Sequence, residues 1–208
     1  VPKTGRALTF AGSPTMNIPP GAVAVSDPVT LTVPSLSDVA VDIYLPNDTA
    51  GLAVTTHPAA WQTNYVSTPG NHVGVANLPV QATTAYRRPD GLACASSFFL
   101  SRIEVMAPAQ TGAIVALGDS ITDGTQSLID TNNRWPDHLA LRLMKENIKM
   151  GVLNAGIGGN RVLSDGNGVN ALARFDRDVA AQPGVTHVIV LEGVNDLGMR
   201  PSPSAAAL

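Results

Sequence analysis

Three short clusters of small polar residues, each directly after an apolar run, hold the side chains of this 208-residue chain best suited to chemistry. Gly118-Asp119-Ser120-Ile121-Thr122-Asp123-Gly124 follows Ile114-Val115-Ala116-Leu117. Asn154-Ala155-Gly156-Ile157-Gly158-Gly159-Asn160-Arg161 follows a second apolar run, and Gly193-Val194-Asn195-Asp196 follows His187-Val188-Ile189-Val190-Leu191. A short β-branched run reads as a buried parallel strand, and α/β sheets bind their ligands just beyond the carboxyl ends of such strands. Taken singly, Ser120 is a helix N-cap or turn former, Gly159 a turn glycine, and Asn195-Asp196 a cap or Asx-turn. Taken together, each lies one loop after its own strand at the same sheet edge, and a serine standing at the carboxyl end of a buried strand is how a nucleophile is presented.

The elements that must position these residues follow from periodicity. Strands are expected at 114–117, 152–154 and 187–191. Leu139, Ala140, Leu143, Met144 and Ile148 recur at three- and four-residue spacings, which predicts a helix over 135–147 with Pro136 in its first turn. A second helix is expected over 169–181, ending before Pro183-Gly184. Strand, loop and helix in repetition imply βαβ units and a parallel sheet over 106–208. Residues 1–105 read differently. Ala7-Leu8-Thr9-Phe10, Val29-Thr30-Leu31-Thr32-Val33 and Val39-Ala40-Val41-Asp42-Ile43-Tyr44-Leu45 are short runs punctuated by Pro and Gly, predicting an all-β, sandwich-like region.

Charged residues make up 14% of the chain and the formal net charge is −3, so no basic footprint points to nucleic acid as a partner. No stretch approaches the roughly 20 apolar residues that span a bilayer. Gly156-Ile157-Gly158-Gly159 lacks the spacing of a dinucleotide fingerprint, and no cofactor or metal is expected. The single cysteine, Cys94, sits in an apolar context and reads as a buried, inert thiol. Asn47-Asp48-Thr49 is a glycosylation sequon in a turn-like setting.

The three clusters, in this order and spacing, resemble the first three sequence blocks of the SGNH (GDSL-type) hydrolases, serine esterases and lipases with a flavodoxin-like sheet. Asn133-Arg134-Trp135-Pro136-Asp137 and Ala173-Arg174-Phe175-Asp176-Arg177-Asp178 are similar to a secreted bacterial and fungal subgroup with an N-terminal β-rich region. The resemblance implies an α/β flavodoxin-like three-layer domain with strand order 2-1-3-4-5. It makes Ser120 the nucleophile, and gives the oxyanion the N–H groups of Ser120 and Gly159 and the side-chain amide of Asn195. Asp119 and Asp196 are then expected to brace loops through backbone hydrogen bonds. The implied reaction is carboxylic ester hydrolysis through an acyl-enzyme, on carbohydrate acyl esters or short-chain esters, outside the cell.

The family's proton acceptor is a histidine in an Asp-x-x-His block, and no such motif occurs here. Of the four histidines, His57 and His72 fall in the β-rich half, His138 in the first helix and His187 at the start of the third strand. His138 adjoins Asp137, yet neighbours on a helix do not face each other. Three strands also leave 187–191 as an apolar edge. The expectation is therefore a chain truncated at both ends, whose partner is the remaining C-terminal part of the polypeptide or a second chain. The alternative is a carbohydrate-binding β-sandwich joined to a non-catalytic hydrolase remnant.

Overall fold

The structure, a computed structural model, describes residues 4–49, 51, 54–83, 85–87, 93–198 and 204. Up to residue 98 its strands are short and paired two by two. β1 (Thr56–His57) pairs with β6 (Ser97–Phe98), β2 (Tyr65–Ser67) with β3 (Val80–Thr83), and β4 (Ala85–Arg87) with β5 (Ala93–Ala95), all antiparallel. The sandwich expected of residues 1–105 is not what the described residues form. The runs at 7–10, 29–33 and 39–45 carry no strand, and only an isolated bridge joins Phe10 to Ser13. Alternation alone makes no strand without a partner to close the ladder, and Pro28, Pro34 and Pro46 each remove a donor beside these runs. Local clamps hold the segment instead: Asp27 accepts from the Thr9 hydroxyl and from the N–H groups of Ala11 and Gly12. These bonds hold its carboxyl below the usual range, the Thr9 bond most of all. The side chain of Cys94 lies outside the described residues, so the thiol's burial stays an expectation.

From residue 112 the parallel sheet appears as expected. β7 (Gly112–Gly118) lies between β8 (Met150–Gly156) and β9 (Val185–Leu191), parallel to both. This 8-7-9 order corresponds to the first three strands of the 2-1-3-4-5 arrangement. β7 is apolar on both faces because it is paired on both edges and covered on both sides. Val115 and Ala116 are fully buried. Val115 and Leu117 pack against Val179, with Leu153, Ala155, Phe175 and Val185 around them. β9 is the expected apolar edge: Val190 is 58% exposed, and Val188, Ile189 and Leu191 are exposed as well.

Among the described residues four α-helices serve the sheet. α1 (Ser120–Asp123) is a single turn stopped by Gly124 at φ +101°. α2 (Trp135–Lys145) carries Pro136 in its first turn, and the Arg134 N–H donates to Asp137 in the manner of a capping box. α3 (Ala171–Phe175), capped by Asn170, runs into a π-helical turn over Asp176–Ala180, so the single helix expected at 169–181 changes winding midway. α4 (Val194–Leu197) follows β9 after Gly193. No described helix is long and apolar enough to cross a membrane.

Candidate active site

The carboxyl ends of β7, β8 and β9 lie side by side, and each leads into one of the three polar clusters. Ser120 is the first residue of α1, half-buried, with Asp119 before it as N-cap. Asp119 is 1% exposed and accepts from the Ile121 N–H at 2.9 Å. The turn that brings Ser120 out of the strand requires glycine beside it. A Cβ at Gly156 would overlap the Asp123 backbone nitrogen, so only glycine lets the end of β8 lie this close to α1.

Gly159 sits in the loop after β8 with φ +78°, and a Cβ there would overlap the Asn167 side chain. Glycine adopts this conformation without penalty. Among the described residues the N–H groups of Ser120 and Gly159 make no hydrogen bond, whereas their neighbours do. Ile121 donates to Asp119, Gly158 to Asp123 at 3.2 Å, and Asn160 to the Ile157 carbonyl. Asn195 lies in α4, and its Nδ2 donates to the Asn160 carbonyl at 2.9 Å. A carboxamide has two N–H donors, so that bond orients the amide and leaves a second hydrogen. Asp196, 2% exposed, accepts from the Val162 N–H through both oxygens at 3.1 Å. Both aspartates expected to brace loops therefore do so.

The residue that locks the three loops together was not singled out from the sequence. Arg174, 1% exposed, donates from Nη2 to the Gly118 carbonyl at the end of β7 and from Nη1 to the Ala155 carbonyl near the end of β8. It also donates to Asn160 Oδ1 at 3.0 Å and to Glu192 Oε1, directly after β9, at 3.3 Å. Asp178 completes its partners at 3.2 Å. A buried cation is tolerable only when its donors are satisfied, and these acceptors come from every strand end at once. Burial pushes the Glu192 carboxyl above its ordinary range and the negative charge of Asp119 adds to this, against the pull of Arg174. Burial acts the same way on Asp178, but its bonds to Arg177 and Arg174 outweigh it and hold that carboxyl below the usual range. The available signal was a charged residue on the inward stripe of a helix, between Ala171 and Val179, both buried.

The four histidine rings are engaged as follows. His72 meets Thr68, His138 meets Asn133 at 2.6 Å, and His187 meets Thr186 at 2.9 Å. Asp137 pairs with Arg134, in keeping with the rejection of an Asp137–His138 dyad. His57, set aside with the β-rich half, lies instead on the last residue of α1, with Nε2 2.7 Å from Asp123 Oδ1.

Residues 116–208 match the GDSL-like lipase/acylhydrolase family. Solved structures of AlinE4, an SGNH-hydrolase family esterase, and of two of its mutants are similar to this chain at 27% identity with a TM-score of 0.39. Each match covers 49% of this chain and 49% of the other, so the chain spans about half the length of these esterase chains. No curated protein sequence matches it.

Proposed function

Since residues 116–208 match the GDSL-like lipase/acylhydrolase family, we propose that this chain is the nucleophile-bearing part of a carboxylic ester hydrolase. Ser120 attacks the ester carbonyl. The N–H groups of Ser120 and Gly159 and the free amide hydrogen of Asn195 receive the oxyanion. The intermediate collapses by breaking the ester C–O bond, and the alcohol leaves with the proton the base took from Ser120. Water then cleaves the acyl-enzyme to the carboxylic acid and free Ser120. The observation that carries this reading is the meeting of the three loops at one end of the sheet. Arg174 ties them together and Asn195 is held against the second loop. Two unpaired N–H groups beside a hydroxyl in that position support an oxyanion site.

A serine hydroxyl is a weak nucleophile until a base takes its proton. The histidines here are engaged with other partners, and the base is proposed to be the histidine of an Asp-x-x-His segment presented from outside residues 1–208. Substrates are proposed to be carbohydrate acyl esters or short-chain esters, encountered outside the cell.

Hydrolysis of p-nitrophenyl acetate by Ser120→Ala and by the parent, both in the polypeptide that includes the Asp-x-x-His segment, tests the reading, alongside mapping of an organophosphonate adduct by mass spectrometry. The expected results are a loss of roughly 10³-fold or more in turnover and an adduct on Ser120. Turnover that survives the substitution, or an adduct on a different serine, would refute it.

A further inference from the structure

We propose that His57 is a positioning residue for the chemistry at Ser120, acting through Asp123 on the loop that carries Gly159; this rests on the ester-hydrolase reading above. Asp123 is the last residue of α1, three residues after Ser120, and its side chain is 4% exposed. One of its oxygens accepts from His57 Nε2 at 2.7 Å and the other from the Gly158 N–H at 3.2 Å. The contact joins an imidazole nitrogen to a carboxylate oxygen, with Nε2 as the donor. Gly158 immediately precedes Gly159, and a Cβ built at Gly158 would lie 3.9 Å from Ser120 Cβ. A single carboxylate thus sets the distance between the nucleophile's helix and the loop bearing the second oxyanion donor, and His57 fixes that carboxylate's rotation.

A second observation shows that His57 is itself held. Residues 57–63 are joined along their length to residues 123–132. The Asp130 N–H donates to the Trp61 carbonyl at 3.0 Å, and the Thr63 N–H and hydroxyl both donate to the Asp130 carboxylate at 2.7 Å. Gln62 donates to Asn132, and Trp61 is 3% exposed. The imidazole is therefore carried on a fixed strap and is two-thirds buried against α1. Without it, Asp123 Oδ1 is left buried and unpaired, a costly state. The carboxylate then turns toward a new partner and takes the Gly158–Gly159 backbone with it. Misplacement of a donor by about 1 Å costs on the order of 10²-fold in rate.

The test compares kcat and KM for p-nitrophenyl acetate, always with the segment carrying the Asp-x-x-His histidine present, in the parent protein, His57→Ala, His57→Gln, Asp123→Asn and the double variant His57→Ala/Asp123→Asn. Phosphonate labelling of Ser120 and circular dichroism are run on each. His57→Ala is expected to lower kcat about 10- to 100-fold with KM nearly unchanged. His57→Gln, whose amide reaches the same oxygen, should recover most of that loss. The double variant should be no slower than the worse single one, because both substitutions remove the same contact. Parental kcat in His57→Ala, or a glutamine variant no better than alanine, overturns the proposal. So does a loss that merely follows the unfolded fraction. A parent that neither cleaves the ester nor labels at Ser120 overturns the hydrolase reading and this one together, whereas an active, labelled parent with an indifferent His57 overturns this one alone.

Discussion

Residues 4–98 and 112–198 are both rich in apolar side chains, yet only the second stretch buries a sheet. Val25 is 61% exposed and Ile18 51%, while Val115 and Ala116 are fully buried. The difference lies in pairing. β7 has a partner on each edge and helices to cover it, whereas each strand of the first region has one short partner, an arrangement of marginal stability in water. Where the first region is well packed, at Trp61 and Ala95, the surrounding segment is joined to residues 123–132. Apolar composition thus predicts burial only where the chain also supplies a second and third layer. The better-packed part of the first region is the part joined to the loop that follows Ser120.

The contrast is open to direct measurement by amide hydrogen exchange. The amides of β7 should be protected at least about 10³-fold more than those of residues 18–45, since protection runs from near zero in loops up to global stability in core strands. Comparable protection in both would show that the first region has a core of its own. Arg174→Ala is the sharpest mutational probe. It strips the strand-end carbonyls and two carboxylates of their cation and should cost about 3–5 kcal/mol in denaturant unfolding. Arg6→Ala, where the guanidinium bonds the Thr30 and Gly5 carbonyls at an exposed site, should change stability by less than about 0.5 kcal/mol. Equal costs would erase the distinction between the regions.

Asn195→Ala should lower ester turnover roughly 10²- to 10³-fold while leaving the thermal midpoint close to that of the parent. A large fall in Tm with proportionate loss of activity would make the amide a brace and not an oxyanion donor. Glu192→Gln has the smallest expected effect. Burial raises the folded-state pKa of Glu192, so ionisation there opposes folding. That penalty is absent below about pH 4.5, where the carboxyl is protonated in both folded and unfolded chains, and grows as pH rises through the raised value. The glutamine variant should therefore melt about 1–3 °C higher at pH 7 and show no gain at pH 4. The opposite pH trend would mean that Arg174 dominates the site's electrostatics.

The parallel-sheet part, from residue 112 on, was legible because its signals are local. A β-branched run ending at Gly-Asp-Ser names a strand and its turn within ten residues, and the spacing of Leu139, Leu143 and Ile148 names a helix. Arg174 was not legible in its role, since the carbonyls of Gly118 and Ala155 become its partners only after the sheet has formed. His57 and Asp123 are 66 residues apart, and no pattern in the chain links them. The reading of residues 7–10, 29–33 and 39–45 as strands went wrong for the same reason in reverse. Alternation records which side chains could face a core, and says nothing of whether a neighbouring strand will arrive. The π turn at 176–180 leaves no trace in a periodicity averaged over a whole helix.

Arg174 also bears on how this scaffold could be re-engineered. Loops at the end of a sheet are usually treated as exchangeable parts, each grafted without regard to the rest. Here one side chain reads the first loop through Gly118, the second through Asn160 and the third through Glu192. A transplanted second loop without an acceptor at the Asn160 position would disturb the serine's strand end, which it need not contact. Libraries aimed at new specificity should therefore hold residues 160, 174 and 192 constant and vary the loops around them. Recombination points placed between these positions are expected to yield mostly inactive chimeras even when every segment is individually well folded.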